Sequence, residues 1–170
     1  YDSRMMLTNS TISGNRGDQG GAIFGGYYAD ATIIGSTINH SAGGGPYGGA
    51  AIHMENARLR LFNSTVSGNS SDAGAGYGIR ALGSDALIVG STIADTTGAD
   101  GGVGLIFFYS EDAALVNSTV SGNDAGGLFA YQANLTVIDS VISGNGGDHP
   151  YASGGVFALA GEWVMMGAAS

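Results

Sequence analysis

His53, Glu55 and Arg80 are the residues whose types could do chemistry together. A histidine beside a carboxylate can shuttle protons, and an arginine can hold an anionic or hydroxyl-rich substrate. That set would suit binding or cleavage of a polysaccharide. A second set is acidic: Asp18, Asp72, Asp100, Asp124 and Asp148 recur in Gly-rich stretches and could offer oxygen ligands to Ca²⁺ along one edge. The ordinary reading of such acids is solvated loop charge. The other histidines, His40 and His149, have no metal-ligand spacing to His53. Asn9, Asn63 and Asn117 each open an Asn-Ser-Thr glycosylation acceptor, and Asn69 and Asn134 also match the pattern. Arg16-Gly17-Asp18 spells an integrin-type tripeptide, too short in a Gly-rich stretch to carry an argument.

What could bring these residues together is a repeat. The word NSTVSGN occurs at 63–69 and again at 117–123, with NSTISGN at 9–15 and DSVISGN at 139–145. Weaker copies stand at 35–41 and 90–96. Their third residues are 11, 37, 65, 92, 119 and 141, so the spacings are 26, 28, 27, 27 and 22. The strongest copies, at 9, 63 and 117, are 54 apart, so odd and even units alternate. A period in the twenties without the leucine-rich pattern fits one turn of a β-solenoid. Three short strands per unit are predicted, joined by Gly, Asn, Asp and Ser.

The register follows from the word. Its first position is Asn9, Gly35, Asn63, Gly90, Asn117 and Asp139, all residues that tolerate positive φ and so can turn a corner. Its last position, Asn15, Asn69, Asn123 and Asn145 with Ser41 and Thr96 between, predicts a polar ladder up the stack. Two residues before the corner come Leu7, Ile33, Leu61, Ile88, Leu115 and Val137, which alternation places inside. The second landmark of each unit puts Ile23, Ile52, Ile79, Leu105, Leu128 and Val156 inside too. The fold class is therefore all-β, a right-handed parallel β-helix of about six coils of 22–28 residues, with residues 1–170 as one domain. No capping segment is evident at either end, so the chain is expected to be a slice or subunit of a longer array.

On the outward side, the same register lines up Phe24, His53, Arg80, Ile106, Phe129 and Phe157. Two residues on come Glu55, Phe108, Tyr131 and Leu159. A further outward stripe runs Ile34, Phe62, Val89, Val116 and Ile138. Large exposed apolar patches mark interfaces. Phe24, Ile106, Phe108, Phe129, Tyr131, Phe157, Leu159, Phe62, Val89, Val116 and Ile138 are thus the expected surface for self-association into a homo-oligomer or fibre.

The GGAI at 20–23 and the Ile/Val-Ser-Gly-Asn words at 12–15, 66–69, 120–123 and 142–145 resemble the repeats of the chlamydial polymorphic outer-membrane proteins. In that family GGA is followed by Ile, Leu or Val, and an FxxN motif recurs; here Ile or Val replaces Phe. More widely the chain is similar to right-handed β-helix surface proteins of bacteria, including autotransporter passengers and pectate-lyase-like folds. The resemblance covers nearly the whole chain and implies an extracellular or cell-surface location. It carries adhesins, fibres and polysaccharide enzymes alike.

Composition narrows the classes. Of 170 residues 32 are Gly, cysteine and lysine are absent, and the net charge is −9. This excludes a disulfide framework or thiol chemistry and argues against a nucleic-acid partner. No apolar run reaches membrane-spanning length, and no signal peptide is visible. The clustered acids of a calcium-dependent lyase and the paired carboxylates of a glycosidase are both missing as patterns. The expected function is a non-catalytic structural or adhesive β-solenoid that associates with itself. The alternative is a polysaccharide-binding or polysaccharide-cleaving β-helix that uses His53, Glu55 and Arg80. No cofactor is expected beyond Ca²⁺ at the acidic edge.

Overall fold

The computed structural model describes residues 3–45, 49–147 and 153–167. The chain winds into a parallel β-solenoid of about six coils, and no helix interrupts the described residues. Each coil contributes to a first sheet (Arg4–Thr8, Asp30–Ile34, Arg58–Phe62, Asp85–Val89, Ala113–Val116, Leu135–Ile138, Trp163–Met166). A short second sheet follows at the corner word: Thr11–Ser13, Thr37–Asn39, Thr65–Ser67, Thr92–Ala94, Thr119–Ser121 and Val141–Ser143. A fourth, broad sheet closes the coil: Gly20–Gly26, Gly49–Glu55, Gly76–Leu82, Gly102–Phe108, Gly126–Tyr131 and Val156–Leu159.

Between the second and fourth sheets lies a third sheet that the repeat pattern does not reveal. Its strands are Arg16–Gly17, Ala42–Gly43, Ser70–Ser71 and Thr97–Gly98. The prediction of three strands per unit is corrected to four in the first four units. Two residues are too few to display alternation, and these are mostly Gly, Ala and Ser, so no apolar period marks them. The fifth unit passes from Thr119–Ser121 directly to Gly126–Tyr131, which accounts for the short spacing of 22.

Side chains stack in columns because pairing keeps nearly constant register. Ile33, Leu61, Ile88 and Leu115 follow one another on the first sheet, and Ile38, Val66, Ile93 and Val120 on the second, all at 0% exposure. Each such side chain contributes about 1.5–3 kcal/mol on burial. A further inward column alternates in size: Gly25, Met54, Ala81, Phe107, Ala130. The Met54 thioether lies over Gly25, where a Cβ would meet its Cε at 2.7 Å. Fully buried Phe107 sits between two alanines. Large over small keeps the narrow core filled without voids.

The corners use left-handed backbone. At the first corner φ is 49° at Asn9, 56° at Gly35, 48° at Asn63, 60° at Gly90, 47° at Asn117 and 48° at Asp139. The alternation of Asn and Gly has a steric cause. The Oδ1 of Asn9 lies against Gly35 and that of Asn63 against Gly90, where a Cβ would come within 2.6 and 2.5 Å. In the first four coils each asparagine thus has a glycine in the next, which matches the 54-residue period; Asn117 is followed instead by Asp139.

One column of the repeated word was not anticipated. Its second letter is always serine: Ser10, Ser36, Ser64, Ser91, Ser118 and Ser140. From Ser10 to Ser118 each backbone N–H in this column donates to the serine Oγ of the next coil, at 3.0–3.1 Å. From Ser10 to Ser140 each hydroxyl donates to the carbonyl two residues before it, at 2.7–2.9 Å. The corner directs this N–H away from the strand ladder, and the serine below supplies its acceptor.

Two outcomes follow for stability. Ser91→Ala leaves the buried Ser64 N–H without its acceptor and is expected to lower unfolding free energy by about 1–3 kcal/mol in urea titration. Gly90→Ala is expected to cost about 1–2 kcal/mol from backbone strain, plus a steric share from Asn63. A double-mutant cycle with Asn63→Gly should recover the steric share only.

Candidate functional site

The outer face of the fourth sheet gathers the residues of interest. Phe24, His53, Arg80, Ile106, Phe129 and Phe157 are successive partners in one column. Gly26, Glu55, Leu82, Phe108, Tyr131 and Leu159 form the next. Strands there extend over six or seven residues, long enough to hold both columns on one flat surface.

The polar part of this face is a pair rather than a triad. Arg80 Nη1 lies 3.0 Å from His53 Nε2, and Phe24 meets the imidazole edge-on with ring centroids 5.4 Å apart. An arginine can only donate, so the imidazole proton sits on Nδ1. His53 is buried at 4% exposure. Burial, and then the Arg80 charge, lower its pKa from 6.5 to about 4, against a smaller opposing effect of the Gln19 backbone. At neutral pH the ring is uncharged and its free lone pair is occupied by Arg80. Glu55 belongs to the neighbouring column, and among the described residues no ion pair joins it to Arg80. The three residues are thus neighbours without the geometry of an acid–base relay. Burial also raises the Tyr77 hydroxyl pKa, with Arg80 pulling the other way.

The apolar part is a self-packed spine. Phe129 and Phe157 stack at 5.2 Å with rings 6° from parallel. Phe108 packs against Phe129 at 5.5 Å and Tyr131 at 6.2 Å. Together with Val103, Ala125 and Tyr77 these form a second hydrophobic cluster outside the coil. In consequence Ile106 and Phe129 are only 5% and 8% exposed, and Phe108, Tyr131 and Phe157 are half-buried. The expectation of a broadly exposed patch is corrected: residues stacked one coil apart cover each other, leaving Phe24 and Leu159 as its open members. On the first sheet Phe62, Val89, Val116 and Ile138 run in register and are half-buried.

The last letter of the word serves the interior. Asn69 Oδ1 accepts from the Ser41 N–H at 3.0 Å, and its Nδ2 donates to the Ile38 and Ser67 carbonyls. Asn123 Oδ1 accepts from the Thr96 N–H at 3.0 Å, and Asn145 Oδ1 from the N–H and Nδ2 of Asn123. Asn15 is exposed; its N–H points to Ser41 Oγ and its Nδ2 donates to the Ser13 carbonyl. Most contacts are thus amide to backbone, and only Asn123–Asn145 links amide to amide. Asn9, Asn63 and Asn117 lie exposed at the first corner. Of the acidic edge, Asp72 pairs with Arg16 and Asp124 accepts from the Gly102 N–H, while Asp18 and Asp100 are exposed. Asp148 lies outside the described residues. No three His, Asp or Glu side chains among the described residues converge as metal ligands. No described helix is long and apolar enough to cross a membrane.

Away from this face, a groove of about 1070 Å³ runs past the turn that follows the fourth sheet, bordered by Tyr27, Tyr28 and Tyr109. Sequence reasoning passed over these tyrosines because they fall between the periodic segments. The pairing of two tyrosines just after a Gly-rich strand was the available signal.

The His53–Arg80 pair makes stability depend on pH. The unfolded chain binds a proton at His53 near pH 6.5, whereas the folded chain does so only near 4. Its stabilising share is therefore complete above about pH 6.5 and is lost as pH falls toward 4. His53→Gln, which keeps an acceptor for Arg80, should flatten the pH dependence of the urea midpoint across that window.

No curated protein matches the chain in sequence. Among solved structures it is similar to QnrB1, a plasmid-mediated fluoroquinolone resistance protein, at 13% identity over 95% of this chain and 92% of that one, with a TM-score of 0.25. At that distance the likeness carries no argument about this chain. The decisive match is to the family model described as the right handed beta helix region, which takes in residues 1–162. The stacked parallel coils agree with it, and the chain belongs to the right-handed β-helix family.

Proposed function

We propose that this chain is a non-catalytic structural and adhesive β-solenoid that works outside the cell and joins further copies of itself through the fourth-sheet outer face. The carrying observation is the aromatic spine. Phe108, Tyr131 and Phe157 present half-buried rings over three coils, packed around the buried Phe129 and edged by exposed Leu159. The inward columns already supply the core, so the coil does not need these rings to close. Aromatic side chains with little conformational freedom suit an interface. The surface location rests on the resemblance of the GGAI and Ser-Gly-Asn words to bacterial surface repeats.

Several features favour this reading over catalysis at the same face. His53 is neutral and engaged, and Glu55 stands in the next column. The asparagine and serine columns direct their polar atoms to neighbouring coils.

The test is mass in solution against concentration, with negative-stain microscopy beside it. The chain should form oligomers or fibres. Tyr131→Asp and Leu159→Asp, chosen because their side chains are not part of the fully buried core, should return it to single-chain mass without loss of the β-sheet circular dichroism signal. A monomer at all concentrations would refute self-association.

A further inference from the structure

The turn after each fourth-sheet strand is a third left-handed corner. It is occupied by Tyr27, Asn56, Gly83, Tyr109, Gln132 and Ala160, with φ of 43°, 48°, 56°, 55°, 48° and 55°. Asparagine and glycine adopt this backbone readily, and Asn56 and Gly83 show that the corner asks for nothing more. A tyrosine there is an outlier. Tyr28, next to Tyr27, is also left-handed at 69°. Three bulky residues are thus held in unfavourable backbone where the fold would accept Asn or Gly. Strain of that kind points to a use for the side chain.

All three rings are exposed, Tyr27 at 68%, Tyr28 at 74% and Tyr109 at 54%. They border one groove of about 1070 Å³. Tyr27 and Tyr109 are three coil steps apart, with Asn56 and Gly83 between them, a span of about 14 Å. The floor is a column of alternating charge, in which Arg4 pairs in register with Asp30, Asp30 with Arg58, and Arg58 with Asp85. Arg58 and Asp85 meet at only 3.5 Å, with side chains 57% and 40% exposed, so little is lost when they turn to another partner. Asp30 is held by both carboxylate oxygens on Arg60.

We propose that this groove binds a short neutral oligosaccharide, with sugar rings lying on Tyr27, Tyr28 and Tyr109 and hydroxyls bonded by Arg58, Asp85 and Asn56. Aromatic faces flanked by planar groups that both donate and accept match a ring that is apolar on its face and hydroxylated at its rim. The balance of arginine and carboxylate gives no field that selects an anion, and the net charge of −9 repels acidic glycans. This supplies a ligand class for the adhesive reading above, on which it rests; the groove adjoins the aromatic spine through Tyr109, whose ring meets Tyr131 edge-on at 5.8 Å, while Tyr27 and Tyr28 lie three coils away from that contact.

Calorimetric titration of the whole chain with cello-, xylo- and manno-oligosaccharides, beside polygalacturonate and hyaluronan oligomers, tests it. At least one neutral probe should bind. Tyr27→Gly and Tyr109→Gly should each weaken it by about tenfold, and Tyr27→Gly should do so with an unchanged or raised melting temperature, because glycine carries no left-handed strain at the corner and seats no amide on Asn56. A purely structural tyrosine would show the reverse, a lowered melting temperature. Failure of every neutral probe, preference for the acidic ones, or unchanged affinity in both variants would overturn the proposal. Mass in solution, measured on the wild-type chain and on the Tyr27 variant, whose position is three coils from the Tyr109–Tyr131 contact, reports the aromatic-spine association separately, so either reading can fail alone.

Discussion

Every described strand hydrogen-bonds along the stack, and none of them pairs within its own coil. A coil can therefore persist only if each turn leaves the backbone groups at its corners pointing at partners one coil away. The serine and asparagine columns meet that demand. Ser36, Ser64, Ser91 and Ser118 are almost fully buried polar residues, yet each accepts from the coil before and donates to its own strand. Asn69 does the same at the next corner, and Asn123 accepts from the coil before while donating to Asn145 in the coil after. With these in place the apolar columns can stack in register, and the sheets follow from the stack.

That dependence explains why so much of the fold was legible. Inward columns such as Ile33–Leu61–Ile88–Leu115 and the left-handed corner at Asn9, Asn63 and Asn117 are fixed by alternation and by φ tolerance, both of which a single unit reveals. Features that depend on the fit between units were harder to read. The serine ladder was written in an invariant letter, but its partner lies 22 to 28 residues away. The third sheet has strands of two residues, below the length at which a period exists. The Asn–Gly alternation was visible as a 54-residue period, while its cause, an amide oxygen seated on the next coil's glycine, required coordinates.

The outer surface was less legible than the interior for the same reason. Alternation states which way a side chain points and is silent on what covers it. Ile106 and Phe129 point outward and are still buried, because columns of large residues one coil apart shield their own middle. His53 and Arg80 are adjacent as sequence register implies, but burial, and then the Arg80 charge, keep the imidazole uncharged and its acceptor nitrogen engaged. Tyr27, Tyr28 and Tyr109 lie in the turns, where no period assigns a direction.

The seating of Asn9 on Gly35 and of Asn63 on Gly90 also bears on how such a rod can change length. The serine ladder and the columns of uniform size, such as Ile33–Leu61–Ile88–Leu115, are indifferent to the number of coils, so by those criteria one coil is the module. Over the first four coils the first corner imposes a parity. Excising the coil of Gly35 would set the amide of Asn9 on the Cβ of Asn63, whereas excising that coil together with the next would return Asn9 to a glycine, Gly90. For this stretch of the molecule the unit of gene duplication or loss that preserves packing is a pair of coils.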